Sequence, residues 1–270
     1  MITRPNCKIN LGLFVTSKRP DGYHNLESIF LPVPLTDELE IAPSDAFSFE
    51  QEGLLIDGDP MQNLVVRAYQ LLLADYPQSV GPVTIRLCKN IPFGAGLGGG
   101  SSDAAFAIKM LSELFSLGLS VEQMESYARL LGADCAFFIQ NRPVYATGRG
   151  DEFEPIDVDL SAYTLVLLKP SCGVSTAEAY RGLTPHAGKA DLRKAIRQPI
   201  DSWRQVVENH FEESIFAKCP EIAHLKQELY RLGALYASMS GSGSTVFGLF
   251  SKGQVPSFDH LPADVLRYVL

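Results

Sequence analysis

Hydrophobic and polar positions alternate from Val83 to Cys88, where Val83, Ile85 and Leu87 interleave with Thr84, Arg86 and Cys88. Successive strand side chains point to opposite faces, so this is a half-buried strand with one wet face, the habit of an antiparallel sheet. A helical period governs its neighbours. Leu64, Ala68, Leu71 and Leu72 fall on one helix face behind Asn63, a side chain suited to an N-cap. Ala104, Ala107, Ile108, Leu111 and Leu114 form a second helical stripe, and Ser120-x-x-Gln123 is a capping box for a third helix that Gly132 closes. Nearer the start, Ile9 to Val15 reads as a short apolar strand. It breaks at Arg19-Pro20-Asp21-Gly22, a β-turn in which Pro presets one φ and Gly accepts a positive one. Strand-like pieces between Leu26 and Ile41 are punctuated by Pro32, Pro34 and Pro43.

After about residue 155 the pattern restarts. Leu165 to Leu168 is a buried-type strand, helical patterns occupy roughly 189–197 and 201–217, and Ile222, Leu225, Leu229 and Leu232 mark a helix closed by Gly233. A strand, the loop Ser240-Gly241-Ser242-Gly243-Ser244 and the strand Thr245 to Phe250 follow. Helices and hairpins are mixed rather than strictly alternating, which predicts an α+β protein of two domains, 1–155 and 156–270.

Composition narrows the function. The 270 residues are 46% hydrophobic and 20% charged, enough apolar content for a sizeable core and too little charge for disorder. Lys plus Arg number 23 against 31 Asp plus Glu, a net charge of −8 that argues against nucleic-acid binding but leaves room for a small phosphorylated ligand. No apolar run approaches the ~18 residues of a membrane span, and Lys8 and Asn10 interrupt any secretory segment, so a cytoplasmic location is expected. The five cysteines are widely spaced with no Cys-x-x-Cys pair, which predicts reduced thiols rather than zinc or a disulfide framework.

The densest chemical signal is Pro92-Phe93-Gly94-Ala95-Gly96-Leu97-Gly98-Gly99-Gly100-Ser101-Ser102-Asp103, with five glycines in seven residues. So much glycine is entropically costly, and what it permits is close approach of several backbone N–H groups to an anion. The following helix aims its positive end at the same place, and Ser101 and Ser102 add hydroxyls. The bland alternative is a flexible loop with a Ser or Asp cap. No lysine lies in the loop, which excludes the Walker A pattern. Gly94-x-Gly96-x-x-Gly99 fits the dinucleotide fingerprint, but a Rossmann strand is continuously apolar, unlike 83–88.

The segment Pro-x-x-x-Gly-Leu-Gly-Gly-Gly-Ser-Ser-Asp-Ala-Ala resembles the phosphate loop of the GHMP kinase superfamily, and Gly241-Ser242-Gly243-Ser244 is similar to that superfamily's C-terminal glycine motif. The resemblance implies a two-domain GHMP kinase fold, with a ribosomal-protein-S5-domain-2-like N-terminal domain and a ferredoxin-like C-terminal domain. Pro5-Asn6-Cys7-Lys8-Ile9-Asn10-Leu11, Arg19-Pro20-Asp21-Gly22-Tyr23-His24, Leu131-Gly132-Ala133-Asp134 and Gly148-Arg149-Gly150-Asp151 together resemble the 4-diphosphocytidyl-2-C-methyl-D-erythritol kinase family. That likeness implies phosphorylation of the substrate's 2-hydroxyl by ATP, with Mg²⁺ carried on ATP, in the non-mevalonate isoprenoid pathway. The implied partners are these small molecules, with no nucleic acid, membrane or obligate protein partner.

The resemblance also implies roles. Asp134 is similar to the family's catalytic aspartate, which takes the hydroxyl proton; read alone it serves equally as a cap beyond Gly132. Lys8 is similar to the catalytic lysine, although a Lys between apolar residues on a short strand is otherwise read as a solvated face. Residues 92–102 would hold the ATP phosphates and Asn63 would lie near the adenine, a position that an N-cap also explains. Asn10, Gly241 and Ser242 would contact substrate, Tyr23 would stack on the cytosine, and His24 would hydrogen-bond its edge. Tyr180 is either the second stacking ring or an apolar helix contact. Asn209-His210-Phe211-Glu212 is similar to an Asn-Asp-x-Glu segment that has lost its Asp, and no site is assigned to it. Cys7, Ala136 and Asp151 depart from the family's usual Ala, Pro and Glu. The rival readings are a mevalonate- or homoserine-type GHMP kinase, a non-catalytic nucleotide-binding homologue and an S5-like interaction module.

Overall fold

In the computed structural model, which describes residues 1–54 and 58–270, the alternation at Val83 becomes β6 (Val83–Lys89), a central strand of a sheet ordered β1-β4-β6-β5. Its partners are β1 (Ile2–Thr3), β4 (Glu38–Pro43) and β5 (Ser48–Gly53). Val83, Ile85 and Leu87 are buried while Arg86 is exposed, as the alternation demands. The sheet is mixed rather than antiparallel throughout. Strand β6 runs antiparallel to β4, with Ile85 opposite Ile41, and parallel to β5, with Ile85 opposite Phe49. The cause is the connection: the chain returns from β5 through α1 (Leu64–Asp75), and a helical crossover delivers a parallel strand.

Asn63 caps α1, its Oδ1 accepting from Val65 N at 2.9 Å. Helix α2 (Gly99–Leu114) packs on α1, on α3 (Val121–Leu131), on α4 (Phe137–Gln140) and on β4. Its stripe Ala104, Ala107, Ile108 and Leu111 is fully buried, so truncating Leu111 to Ala costs about 2–5 kcal/mol. The Ser120–Gln123 capping box is formed, and Gly132 ends α3.

A second sheet is ordered β10-β11-β9-β12, from β9 (Tyr163–Lys169), β10 (Tyr236–Met239), β11 (Val246–Ser251) and β12 (Leu266–Val269), with every pairing antiparallel. Val166, Leu168, Met239, Val246 and Phe250 from this sheet join one core with residues of α8 (Phe211–Lys218) and α9 (Pro220–Arg231). A third sheet is ordered β2-β3-β7-β8, from β2 (Asn6–Lys18), β3 (His24–Thr36), β7 (Val144–Thr147) and β8 (Glu152–Pro155). The pieces expected between Leu26 and Ile41 are therefore one long strand followed by β4. Strand β7 meets β3 at Ser28–Phe30, so on that side Pro32 and Pro34 lie beyond the ladder and withhold no needed N–H.

The helix expected over 201–217 is broken into α7 (Trp203–Val206) and α8, and the 189–197 pattern shortens to α6 (Leu192–Ala195). Val207 adopts φ −97° and ψ 93° because the chain here bonds to β2 instead of to itself. Leu13 N donates to Glu208 O at 2.9 Å, and His210 N donates to Leu13 O at 2.9 Å. The remaining helix, α5 (Thr176–Arg181), starts at a Ser175–Glu178 capping box.

Contacts gather the chain into two units. One comprises Met1–Lys8, Pro32–Phe93 and Gly98–Arg142, the other Ile9–Leu31, Gly94–Leu97 and Pro143–Leu270. All five cysteines are free. Among the described residues no helix is long and apolar enough to cross a membrane.

Candidate active site

In the first unit, β2 carries Lys8 two residues after its start, and the lysine ammonium lies 3.3 Å from Asp134 Oδ2; the lysine side chain is 4% exposed and the aspartate 33%. Asp134 sits in the turn between the Gly132 cap and α4, where Cys135 N donates to Gly132 O at 3.2 Å. Helix α4 is pinned from α2: Lys109 Nζ donates to Phe138 O at 2.9 Å and Ile139 O at 3.1 Å. Burial brings this lysine down to about 8. Gly98, at φ +69°, caps the N-terminus of α2, and a Cβ there would come within 3.2 Å of both Lys8 Cγ and Lys8 Cε. The lysine stem thus runs directly beneath the phosphate-loop turn.

A buried charged triad lies under the same helix. Lys89 Nζ, at the end of β6, donates to Asp37 Oδ2 and, at 2.7 Å, to Asp103 Oδ2. Asp37 Oδ1 also accepts from Asn90 N at 2.6 Å and Ile91 N at 2.8 Å. Asp103 Oδ1 is buried without a partner. Burial pushes Asp103 up to about 8, opposed by Lys89 and reinforced by Asp37. Lys89 is raised despite its burial, because Asp103 and Asp37 outweigh it. Nothing linear marks these residues as one group: they come from a turn, a strand end and a helix.

A cleft of about 660 Å³ opens beside the loop, lined by Phe49, Gln51, Asn63, Leu64, Phe93 and Gly100 among others. Asn63 is half-buried there, and its Oδ1 is committed to the α1 cap. Ser102 Oγ is buried and unpartnered, while Ser101 lies beside the Cys135 thiol, which burial raises to about 12.

In the second unit, the loop's earlier arm, Gly94–Leu97, rests on the Ser240–Ser244 loop. Ser240 Oγ donates to Gly96 O at 2.9 Å, and Thr245 N donates to Ala95 O at 3.1 Å. Gly96, at φ +77°, has no room for a Cβ, which would fall 2.0 Å from Ser240 O. Gly241 faces Gly96 across this contact, and Ser242 Oγ is 3.1 Å from Thr176 Oγ1.

The Arg19–Gly22 turn forms as expected, with Arg19 N donating to Tyr23 O at 2.8 Å and Tyr23 N to Asp21 Oδ1 at 3.1 Å. Tyr23 is 58% exposed, and the Arg149 guanidinium, paired with Asp151, lies 5.1 Å from its ring centroid. His24 stacks on Tyr180, centroids 4.8 Å apart at 19°, and Tyr180 also meets Phe211 edge-on at 4.8 Å. Burial, aided by Lys18, lowers the His24 pKa. Asn10 is buried, its Nδ2 donating to Ser28 Oγ at 2.8 Å, and Ser28 Oγ donates in turn to Gly12 O at 2.6 Å.

Asn209 and Glu212, which the sequence left without a site, contact the glycine loop. Asn209 Nδ2 donates to Met239 O at 2.7 Å and Gly241 O at 2.8 Å, and Glu212 Oε1 accepts from Met239 N at 2.8 Å.

This chain is similar to known proteins along nearly its whole length. Residues 63–142 match the family described as GHMP kinases N terminal domain, and residues 190–258 match GHMP kinases C terminal. A 4-diphosphocytidyl-2-C-methyl-D-erythritol kinase of Bacteroides thetaiotaomicron is 53% identical over 96% of each chain. One of Porphyromonas gingivalis is 47% identical over 93% of each. A solved 4-(cytidine 5'-diphospho)-2C-methyl-D-erythritol kinase superposes with a TM-score of 0.80 at 33% identity, covering 92% of this chain and 90% of that one. The Methanococcus jannaschii mevalonate kinase shares the fold, with a TM-score of 0.71 at 14% identity, covering 100% of this chain and 97% of that one.

Proposed function

Because the chain belongs to the GHMP kinases and, within them, to the 4-diphosphocytidyl-2-C-methyl-D-erythritol kinases, we propose a division of that reaction among its residues. The reaction transfers the γ-phosphoryl group of ATP to the substrate's 2-hydroxyl, in the methylerythritol phosphate route to isoprenoids. Mevalonate- and homoserine-type chemistry is not favoured, since the solved enzymes of those kinds share 14–19% identity and the fold alone.

Phosphoryl transfer needs positioning and charge stabilisation more than covalent help. Asp134 is assigned to accept the hydroxyl proton as the oxygen attacks. Lys8 is assigned to balance the charge gathering on that oxygen and on the phosphoryl group. The observation that carries this assignment is the 3.3 Å Lys8–Asp134 pair, with the lysine stem laid against Gly98 at the N-terminus of α2. Residues 92–102 are assigned to the ATP phosphates through backbone N–H groups, with Asn63 and the cleft beside it assigned to the adenosine end. Mg²⁺ would supply charge neutralisation when bound, and Ser102 Oγ, buried and unpartnered, is the protein atom that would help to hold it.

On the substrate side, Tyr23 offers an exposed aromatic face for cytosine, and His24 offers ring nitrogens for its edge. Tyr180, Asn10, Gly241 and Ser242 complete the proposed substrate set. The domains 1–155 and 156–270 are proposed as the units of descent.

A coupled ADP-release assay with Mg·ATP tests the reading, comparing 4-diphosphocytidyl-2-C-methyl-D-erythritol with methylerythritol phosphate, mevalonate and homoserine. Turnover confined to the cytidine compound is the expected result. Preference for an alcohol lacking the base would sink the cytosine assignment. Silence with every alcohol, from protein that binds ATP, would favour a non-catalytic homologue.

A further inference from the structure

We infer that Asn209 and Glu212 are positioning residues, holding the Met239–Ser242 turn so that it presents a backbone donor to a phosphate oxygen of one of the two reactants. The inference rests on the kinase reading above and adds a role for a segment to which the sequence assigned none.

The segment is itself rigidly placed. Residues 207–210 leave the helical path and pair with β2: Leu13 bridges Asn209 in parallel, and Val15 N donates to His210 Nδ1 at 3.1 Å. From this anchor Asn209, only 4% exposed, uses its whole amide group. Both Nδ2 protons go to main-chain carbonyls, of Met239 at 2.7 Å and Gly241 at 2.8 Å, and Oδ1 accepts from Phe211 N at 3.0 Å at the start of α8. One turn on, Glu212 Oε1 accepts from Met239 N at 2.8 Å and Ser238 Oγ at 3.1 Å, while Lys226 holds Oε2 at 2.5 Å. Two side chains thus grip the loop entrance at both the N–H and the C=O of Met239 and at the C=O of Gly241.

That grip has a stereochemical result. In a trans peptide the C=O and the following N–H point in opposite directions. Fixing the Gly241 carbonyl on Asn209 therefore turns the Ser242 N–H away from Asn209, to the other side of the loop. A main-chain N–H held in a glycine turn is the donor type that binds phosphate oxygens. The same turn carries Ser240, whose Oγ supports Gly96 at 2.9 Å, so a displaced Met239–Gly241 segment would also release the Gly94–Leu97 arm.

Asn209→Ala tests the inference, with Tyr236→Phe as a matched control. Tyr236 Oη donates to Val207 O at 2.9 Å, so the control loosens the same segment without touching the loop. Dissociation constants for ATP and for 4-diphosphocytidyl-2-C-methyl-D-erythritol are measured by calorimetry beside KM and kcat, at a temperature where both variants are folded. Asn209→Ala should weaken one of the two ligands roughly 5- to 10-fold or more, the loss of one or two hydrogen bonds, and Tyr236→Phe should leave both within twofold. Which ligand weakens tells whether the phosphate belongs to the donor or to the acceptor. If Asn209→Ala does not fold, Glu212→Ala against Glu212→Gln replaces it, since Gln keeps the acceptor for Met239 N and should restore binding. Unchanged constants for both ligands, or equal weakening in the control, overturn the inference. Wild-type protein that binds both ligands and turns over neither overturns the kinase reading and leaves this inference to stand on the binding data.

Discussion

The Lys8 ammonium lies 3.3 Å from Asp134 Oδ2, with the lysine sealed from solvent and the carboxylate partly open to it. A group meant only to stabilise the fold gains little from such half-exposure, whereas a base must reach its substrate. Asp134→Ala should lower kcat by about 10²–10⁴-fold while leaving the dissociation constant for ATP within a few-fold. Lys8→Ala should lower turnover by orders of magnitude with the same sparing of ATP binding. Near-normal turnover of either variant in the ADP-release assay would remove that residue from the chemistry.

Glycines of one loop should differ in tolerance. Gly94 has a positive φ but open space where a Cβ would go, so Gly94→Asn, a residue that accepts this conformation, should retain most activity. Gly98→Asn keeps the conformation but drives a side chain into the Lys8 stem and Phe138. Its turnover should fall by an order of magnitude or more. Equal kinetics for the two variants would contradict the packing argument.

The Asp37–Lys89–Asp103 triad predicts a pH signature. With Asp103 raised to about 8, the folded chain holds a proton that the unfolded chain releases. Its contribution to stability is therefore complete below the ordinary carboxylate range and is lost as pH rises towards about 8. Asp103→Asn imitates the protonated form, so its stability curve should lack that decline while turnover stays within a few-fold of wild type. Asp103→Ala keeps the Lys89–Asp37 pair but removes one partner of Lys89 and leaves a cavity, so it should be less stable than Asp103→Asn by denaturant unfolding. Parallel pH–stability curves for wild type and Asp103→Asn would disprove the proton assignment.

Removing the exposed ring at Tyr23 should act on substrate and spare the nucleotide. Tyr23→Ala is expected to raise KM for the cytidine substrate roughly tenfold, a loss of one stacking contact, with KM for ATP unchanged. The Arg149–Asp151 pair next to the ring would remain as a local reference. Intact affinity for the cytidine compound would refute the stacking role.

Local chemistry was legible in the chain. Ser120 with Gln123, Asn63 at the start of α1 and the Arg19–Gly22 turn all form where short-range rules place them, because each is settled by a few neighbouring residues. The break at Val207–His210 was not legible, since its apolar spacing suits a helix and only Leu13, distant in sequence, supplies the competing hydrogen bonds. The parallel arrival of β5 was hidden for a similar reason: alternation reports a wet face, not the direction of a partner. Lys89 gave no hint of Asp37 and Asp103, because charge pairing across a strand end, a turn and a helix leaves no period. Asn209 and Glu212 stand in a recognisable motif, yet their partners in the glycine loop are main-chain carbonyl and amide groups, which sequence does not distinguish.

The ring contact between His24 and Tyr180 has a consequence for affinity. With centroids 4.8 Å apart, one face of Tyr180 is already occupied by a residue of the same chain. His24 is in effect a tethered competitor, present at the high local concentration that tethering confers. A planar ligand that takes this face exchanges one stack for another and gains little from the ring itself. Discrimination among ligands then falls to the edge, where hydrogen-bond donors and acceptors differ from one base to the next.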